Sequence, residues 1–325
     1  MEFETPSWFL GLYFPAIRPE HLAMLLLFIL HAVLALIQPF PSTLPDEWNY
    51  LTGAVPSIYA VLGYRAGMVF MAACYALCLI PLTKITRDWR AALILCLYPA
   101  FFIWAPFAMV EGAFWLCVFS FAAYYQDRAY TWLYALSAAV IKPLGFALVC
   151  LKVFIERPPL GILGALACLV ALPFVSRGLT LVPMRHWASN IMLNLFYGLA
   201  SGGLVLPILA VLASVGGDLS GKDSTRRGVL LASGALIATV LATGFFIPTE
   251  FVDGRYAAPV GILLAALGFR DAPAGWKWRL IGVPVLFTPL IMLAAYLTPL
   301  HQAAACLVQD DERCELFRKL ISGFA

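Results

Sequence analysis

From Glu20 to Leu297 the chain runs through ten apolar stretches separated by short breaks in which most of its charges collect: Glu20–Phe40, Ala66–Thr83, Ala91–Ala108, Gly112–Tyr125, Tyr130–Val153, Leu160–Ser176, Gly202–Gly216, Val229–Ile247, Ala257–Phe269 and Leu280–Leu297. A helix that crosses the hydrocarbon core of a bilayer needs about 20 mostly apolar residues. Inside lipid every backbone amide must be satisfied within its own element, which admits only helices and closed barrels, and these stretches lack the alternation of barrel strands. The composition agrees, with 62% hydrophobic and 12% charged residues against roughly 45–50% and about 25% in soluble domains. The expected fold is therefore all-α: a polytopic transmembrane helical bundle of about 9–11 membrane segments. Residues 1–325 are expected to form a single transmembrane domain, with no large soluble domain, and the sequence shows no internal repeat.

Lys and Arg accumulate in cytoplasmic loops. "TKITRDWR", "QDR", "LKVFIERPP", "GKDSTRRG" and "RDAPAGWKWR", together with Arg18, hold thirteen of the 21 basic residues. This set is read as cytoplasmic and places the N-terminus inside. The loop 41–64, the turn Met109–Glu111, the loop 177–201, the stretch Pro248–Tyr256 and the short tail 299–325 then lie outside. "MEFETPSWFLGLYFPAIRPEH" has no basic n-region and no small-residue cleavage site, unlike a cleaved signal peptide, and its aromatic residues suit an interfacial segment. The net charge of +3 and the absence of a dense basic run argue against nucleic acid as a partner.

This assignment makes the segment Tyr130–Val153 begin and end on the same side. "SAAVIKPLGFAL" has Lys142-Pro143 near its centre and Gly145 close by. A proline in a helix removes a backbone donor and clashes with the preceding turn, so two half-length helices meeting at Lys142 form a broken re-entrant pair. A single kinked helix is the alternative, and it would invert every later loop.

Ionisable groups in or beside spans are costly, which makes each a functional candidate whose partner should be named. Asp46 and Glu47 follow Pro45 and precede the aromatic residues Trp48 and Tyr50; partial desolvation there raises a carboxylate's basicity, though a solvated acidic loop fits the same residues. Glu111 is the one charge between Arg90 and Asp127 and sits at a very short turn, facing inward or touching water. Lys142, at the helix break, suits a bound phosphate or an ion pair with Glu111. Arg185 and His186 lie in an amphipathic external stretch. Arg255 in "DGRY" can bind phosphate bidentately beside Tyr256, or anchor the chain at the interface. No HExxH, GxSxG or Walker sequence occurs.

Taken in order, these pieces resemble the GT-C superfamily of integral membrane glycosyltransferases. "PDEWNYLTGA" looks like the DE-x-x-Y pattern of the protein O-mannosyltransferase and aminoarabinose transferase branches, and "AVPSIYAVLGYRAG" like the transition that follows it. "YPAFFIWAPFAMVEGAFWLCVFSFAAYY" is similar to the third and fourth spans of bacterial mannosyltransferase branches, and "GRYAAPV" looks like a late Arg-Tyr-x-x-Pro motif. Two departures stand out: Lys142 occupies a position where Arg is common, and the last 27 residues are too few for the soluble domain of many members.

The resemblance implies a polyprenyl-phosphate-linked sugar as donor, a lipid, glycan or protein acceptor, and an inverting displacement. Asp46 would be the catalytic base, with Glu47 as its support or substitute. Arg255, Lys142 and Arg185 would hold the donor phosphate, while Tyr256, Trp48, Tyr50, Glu111 and His186 would contact sugar or acceptor. No cofactor is required by the pattern; some relatives use a divalent cation, for which Asp46, Glu47 and Glu111 offer oxygens. The implied location is a bacterial inner membrane with a periplasmic active site, where Cys306 and Cys314 could pair. A flippase or transporter of a lipid-linked sugar, or a non-catalytic subunit of a cell-envelope glycan assembly, remains the alternative, because a broken helix with a midmembrane cation also marks transport sites.

Overall fold

The computed structural model describes residues 18–37, 50–51, 53, 57–98, 101–102, 109–164, 223–243, 258–271 and 290. Among them every element is helical and no strand occurs. The helices are α1 (Pro19–Ile37), α2 (Ile58–Leu62), α3 (Tyr64–Leu77), α4 (Leu79–Thr86), α5 (Trp89–Cys96), α6 (Glu111–Ala123), α7 (Arg128–Ile141), α8 (Phe146–Glu156), α9 (Ser224–Thr243) and α10 (Ala258–Asp271). A further helical stretch covers 158–164. Two helices are long and apolar enough to cross a membrane by length and composition: Pro19–Leu36, and Tyr64–Thr86, in which α3 runs into α4. The expected spans Gly202–Gly216, most of Leu160–Ser176 and all but one residue of Leu280–Leu297 lie outside the described residues.

The centre of the bundle is α6. Its sequence, EGAFWLCVFSFAA, has no polar face, and a helix apolar all round must be enclosed. Of its 13 residues only Leu116 is not buried, and α3, α4, α7, α9 and α10 all pack on it. Outside it, α1 lies on α3 and turns Leu22, Leu25, Leu26, Ile29, Val33 and Leu36 outward.

Prolines mark two of the expected spans. Ala66–Thr83 loses one helical hydrogen bond near Cys78, where Pro81 lacks the amide that would bond back to Leu77, but Cys78 keeps helical torsions and the helix runs on. Ala91–Ala108 leaves α-helix after Cys96, because Tyr98 precedes Pro99 and the residue before a proline is pushed out of the helical region.

The break expected at Lys142-Pro143 is present. Asp127 starts α7 by accepting from the amides of Ala129 at 3.0 Å and Tyr130 at 3.1 Å. Lys142 stops it with extended torsions, φ −150° and ψ 134°, as a residue before proline must. A 3₁₀ turn over Pro143–Gly145 then launches α8, which folds back on α7. The return depends on Gly145, since a Cβ there would lie 2.1 Å from the carbonyl carbon of Ala138. At the open end Arg128 meets Glu156 at 2.9 Å, and Trp132 Nε1 donates to the same carboxylate at 3.3 Å. The arms are about 21 Å and about 16 Å long at 1.5 Å per residue, each short of the ~30 Å hydrocarbon core.

The charged breaks gather at the open end of this hairpin. Asp223 caps α9 through the Arg226 amide at 3.2 Å. Its other oxygen accepts from Arg87, in the α4–α5 turn, at 3.2 Å and from Arg270, near the end of α10. Lys84 sits 3.7 Å from the centre of the Tyr124 ring. Lys152 bonds Glu156 at 3.2 Å and lies 5.7 Å from the Tyr125 ring. Five segments far apart in sequence thus meet at one end of the bundle.

Two outcomes follow. Gly145→Ala should destabilise the detergent-solubilised protein by at least about 2 kcal/mol, since the added methyl meets backbone rather than a movable side chain. Gly234→Ala, with nothing within 4 Å of the new Cβ, should leave thermal unfolding unchanged or slightly improved. Partial burial opposes ionisation of Glu156, but hydrogen bonds from Lys152, Arg128 and Trp132 outweigh it and hold its carboxyl below the ordinary glutamate value. Its contribution is therefore complete above the unfolded pKa of about 4.3 and fades as pH falls through the lower folded value. The stability gap between wild type and Glu156→Gln should accordingly close below pH ~4 in a thermal melt.

Candidate functional site

The opposite end of the bundle carries a buried carboxylate and a buried ammonium side by side. Glu111 opens α6, where a carboxylate also suits the positive end of the helix dipole, and it is 0% exposed. Lys142, at the tip of the α7–α8 hairpin, is 6% exposed. Its Nζ donates directly to Glu111 Oε1. Of the two readings open to Lys142 in the sequence, the structure realises the ion pair.

Neither ion could be buried alone. The effective penalty for taking an ion out of water is several kcal/mol, recovered only when an opposite charge and hydrogen bonds face it. The pair therefore binds the hairpin tip to the start of the central helix.

The end of α1 and the start of α3, which the acidic loop joins in sequence, lie at this same end. Two described residues that follow the acidic pair are Tyr50, which is buried and whose carbonyl accepts from Ser57 Oγ at 2.9 Å, and Tyr59. Tyr59 Oη donates to the carbonyl of Met109 at 2.9 Å, two residues before Glu111. This tyrosine fits because Gly67 lies beneath it, where a Cβ would come within 2.3 Å of the ring. Arg65 Nη1 donates to the carbonyl of Leu36 at 3.0 Å and ties the start of α3 to the end of α1. Because α10 ends at the Arg87–Asp223–Arg270 cluster, its first residue, Ala258, is directed away from that cluster. The sequence "DGRY" ends two residues before it.

Of the expected site residues, the structure describes Lys142, Glu111 and Tyr50. It joins the first two directly and anchors the third in the segment pinned beside them. Asp46, Glu47, Trp48, Arg185, His186, Arg255 and Tyr256 lie outside the described residues, as do Cys306 and Cys314. Among the described residues no group of three or more His, Cys, Asp or Glu could hold a metal ion, and the bonded neighbour of Glu111 is an ammonium, which disfavours a cation there. Cys74, Cys78, Cys96 and Cys117 are free and buried, consistent with cysteine as a small apolar side chain.

Sequence reasoning passed over one group. His31, inside the first apolar stretch, is 1% exposed and stacks between Tyr75 and Phe102. The signal was available, since an ionisable residue well inside a span is itself a candidate.

No protein-family model, no curated protein and no solved structure matches the chain.

If the Lys142–Glu111 bond holds the tip, Glu111→Gln and Lys142→Met should each cost about 3–5 kcal/mol, because each leaves one charge buried without its counter-ion. The double variant should cost clearly less than the two added together. Purely additive losses in chemical or thermal unfolding would contradict the pairing.

Proposed function

We propose that this chain is an integral membrane glycosyltransferase of the GT-C kind, moving a sugar from a polyprenyl-phosphate donor to a hydroxyl- or amine-bearing acceptor at the external membrane face. The observation that carries the reading is the arrangement at one end of the bundle. There a broken helix hairpin presents a buried lysine, bonded to a buried glutamate, beside the pinned flanks of an acidic loop.

The topology proposed with it is multi-pass, in a bacterial inner membrane. The end where the charged breaks assemble faces the cytoplasm, in keeping with the accumulation of Lys and Arg there. The tip bearing Lys142 and Glu111 then opens outward, and the hairpin is re-entrant. Broken backbone at membrane depth is tolerated where it is buried in protein or lines a cavity, and here Gly145 and Leu144 are buried.

In this reading Asp46, supported by Glu47, takes the proton of the acceptor. The freed oxygen or nitrogen attacks the anomeric carbon from the face opposite the phosphate. The new glycosidic bond forms as the bond from carbon to phosphate oxygen breaks, and polyprenyl phosphate leaves with the electron pair. Arg255, Arg185 and Lys142 bind the phosphate, whose charge grows in the transition state. Lys142 does this as one member of a pair: its ammonium has three protons, so one can remain with Glu111 while another meets a phosphate oxygen. Tyr256, Trp48, Tyr50 and His186 surround sugar and acceptor. The polyprenyl tail stays among the spans, which accounts for a catalyst embedded in lipid.

A broken hairpin with a buried ion pair also suits a transporter of lipid-linked sugar. Purified protein supplied with polyprenyl-phosphate sugars separates the two readings: a transferase releases polyprenyl phosphate when acceptor is present. Movement of the lipid across vesicles without release from any sugar donor would reject the transferase. Asp46→Asn should abolish turnover while retaining donor binding, whereas Arg255→Ala should weaken donor binding. Full turnover by Asp46→Asn would remove the base assignment.

A further inference from the structure

Near the Lys142–Glu111 pair, α1, α3, α6 and the helical turn at Phe101 and Phe102 bring five aromatic rings together. His31 lies nearly parallel to Phe102, with centroids 4.8 Å apart and planes at 14°, and to Tyr75, at 5.1 Å and 23°. Trp115 stands edge-on to Tyr75 at 6.0 Å and to Phe101 at 5.3 Å. His31, Tyr75 and Trp115 are 1%, 3% and 0% exposed.

These three rings carry four polar atoms: His31 Nδ1 and Nε2, Tyr75 Oη and Trp115 Nε1. None of the four has a hydrogen-bond partner among the described residues. The large majority of buried side-chain polar atoms in proteins are partnered, by protein or by ordered water, and each orphan carries an uncompensated desolvation cost. Phenylalanine would fill these positions with similar aromatic area and no such cost. Four orphans within one stack of rings therefore mark a place where something small and polar binds.

The donor and acceptor inventory narrows the ligand. An indole N–H only donates, a phenol does both, and a neutral imidazole offers one donor and one acceptor. The complement is a molecule that both donates and accepts and is small enough to sit at the edges of packed rings, which describes water, with its usual two to four hydrogen bonds in protein interiors. We infer that His31, Tyr75 and Trp115 form a buried water-binding site adjoining the Lys142–Glu111 pair. Tyr75 makes the connection. Gly112, the residue after Glu111, lies so close to its ring that a Cβ there would come within 3.1 Å, so the ring lies flush against the start of α6. Water held at the polar edges of these rings would lie beside the start of α6, where Glu111 stands. This inference stands apart from the transferase reading and does not require it.

Radiolytic hydroxyl labelling of the full chain in lipid nanodiscs, with ¹⁸O-enriched water, tests it, each residue being scaled to its labelling in denatured protein. Radicals formed on bound water react where they arise, so Tyr75 and Trp115 should take up ¹⁸O despite their burial, while Phe114 and Phe119, equally buried, should not. In His31→Phe the label on Tyr75 and Trp115 should fall to the level of those phenylalanines. Wild-type labelling no higher than theirs, or unchanged labelling in His31→Phe, would overturn the proposal. Should His31→Phe fail to fold, the sign of the Tm change in Tyr75→Phe decides. A hydrated site loses a ligand to its water and melts lower; a dry cluster sheds an orphan hydroxyl and melts higher.

Discussion

A lysine ammonium and a glutamate carboxylate held away from water must face each other, and in this chain that requirement sets where two distant segments meet. Glu111 can be buried at the head of the central helix because Lys142 reaches it, and Lys142 can be buried because α7 stops one residue before a proline and turns its tip inward. Without the pair, the hairpin would still form from its local chemistry: the Asp127 cap, Pro143, and the close approach of Gly145 to Ala138. Its tip would then have no reason to dock against α6 rather than slide along it. Replacing a buried pair by well-packed apolar residues is often neutral or stabilising, so what this pair contributes is the position of the hairpin tip more than net stability.

The two ends of the bundle are chemically unlike. At one end the charges stand in shared, partly exposed arrangements, with Asp223 serving both Arg87 and Arg270 and Glu156 serving Arg128 and Lys152. The pairs made by the exposed Arg87 and Arg128 contribute little individually, Lys152 and Arg270 are more enclosed, and together these contacts bring five segments to one level. At the other end the ion pair is enclosed and lies next to the aromatic stack of His31, Tyr75 and Trp115. The proposed chemistry and the proposed water site both belong to this second end, where a low local dielectric strengthens any charge that is correctly faced.

Local rules made the hairpin legible before any coordinates. Lys142-Pro143 and Gly145 foretold the break, and the demand that charges within spans have partners put Glu111 beside Lys142 as one of two options. The grouping of charged loops was legible too, because the positive-inside pattern sorts them without regard to packing. Other features were not. The missing hydrogen bond near Cys78 and the early end of α5 at Cys96 follow from Pro81 and Pro99, whose effect average hydropathy hides. The stack around His31 needs residues from α1, α3, the 101–102 turn and α6, and no short pattern in the chain announces a meeting of four separate segments. The acidic loop itself was legible only as a set of residue types in order, and the structure describes its flanks at Tyr50 and Tyr59.

The central claim is that the chain enters the hairpin and leaves it on the same side. It is tested most directly by placing single cysteines at the two exposed ends, Gln126→Cys and Arg157→Cys, and probing sealed vesicles of known orientation with a membrane-impermeant thiol reagent. The account predicts that both positions react from the same, cytoplasmic, side and are protected from the other. Reaction of the two from opposite sides would mean one continuous crossing helix, and would contradict the hairpin and the site built on its tip.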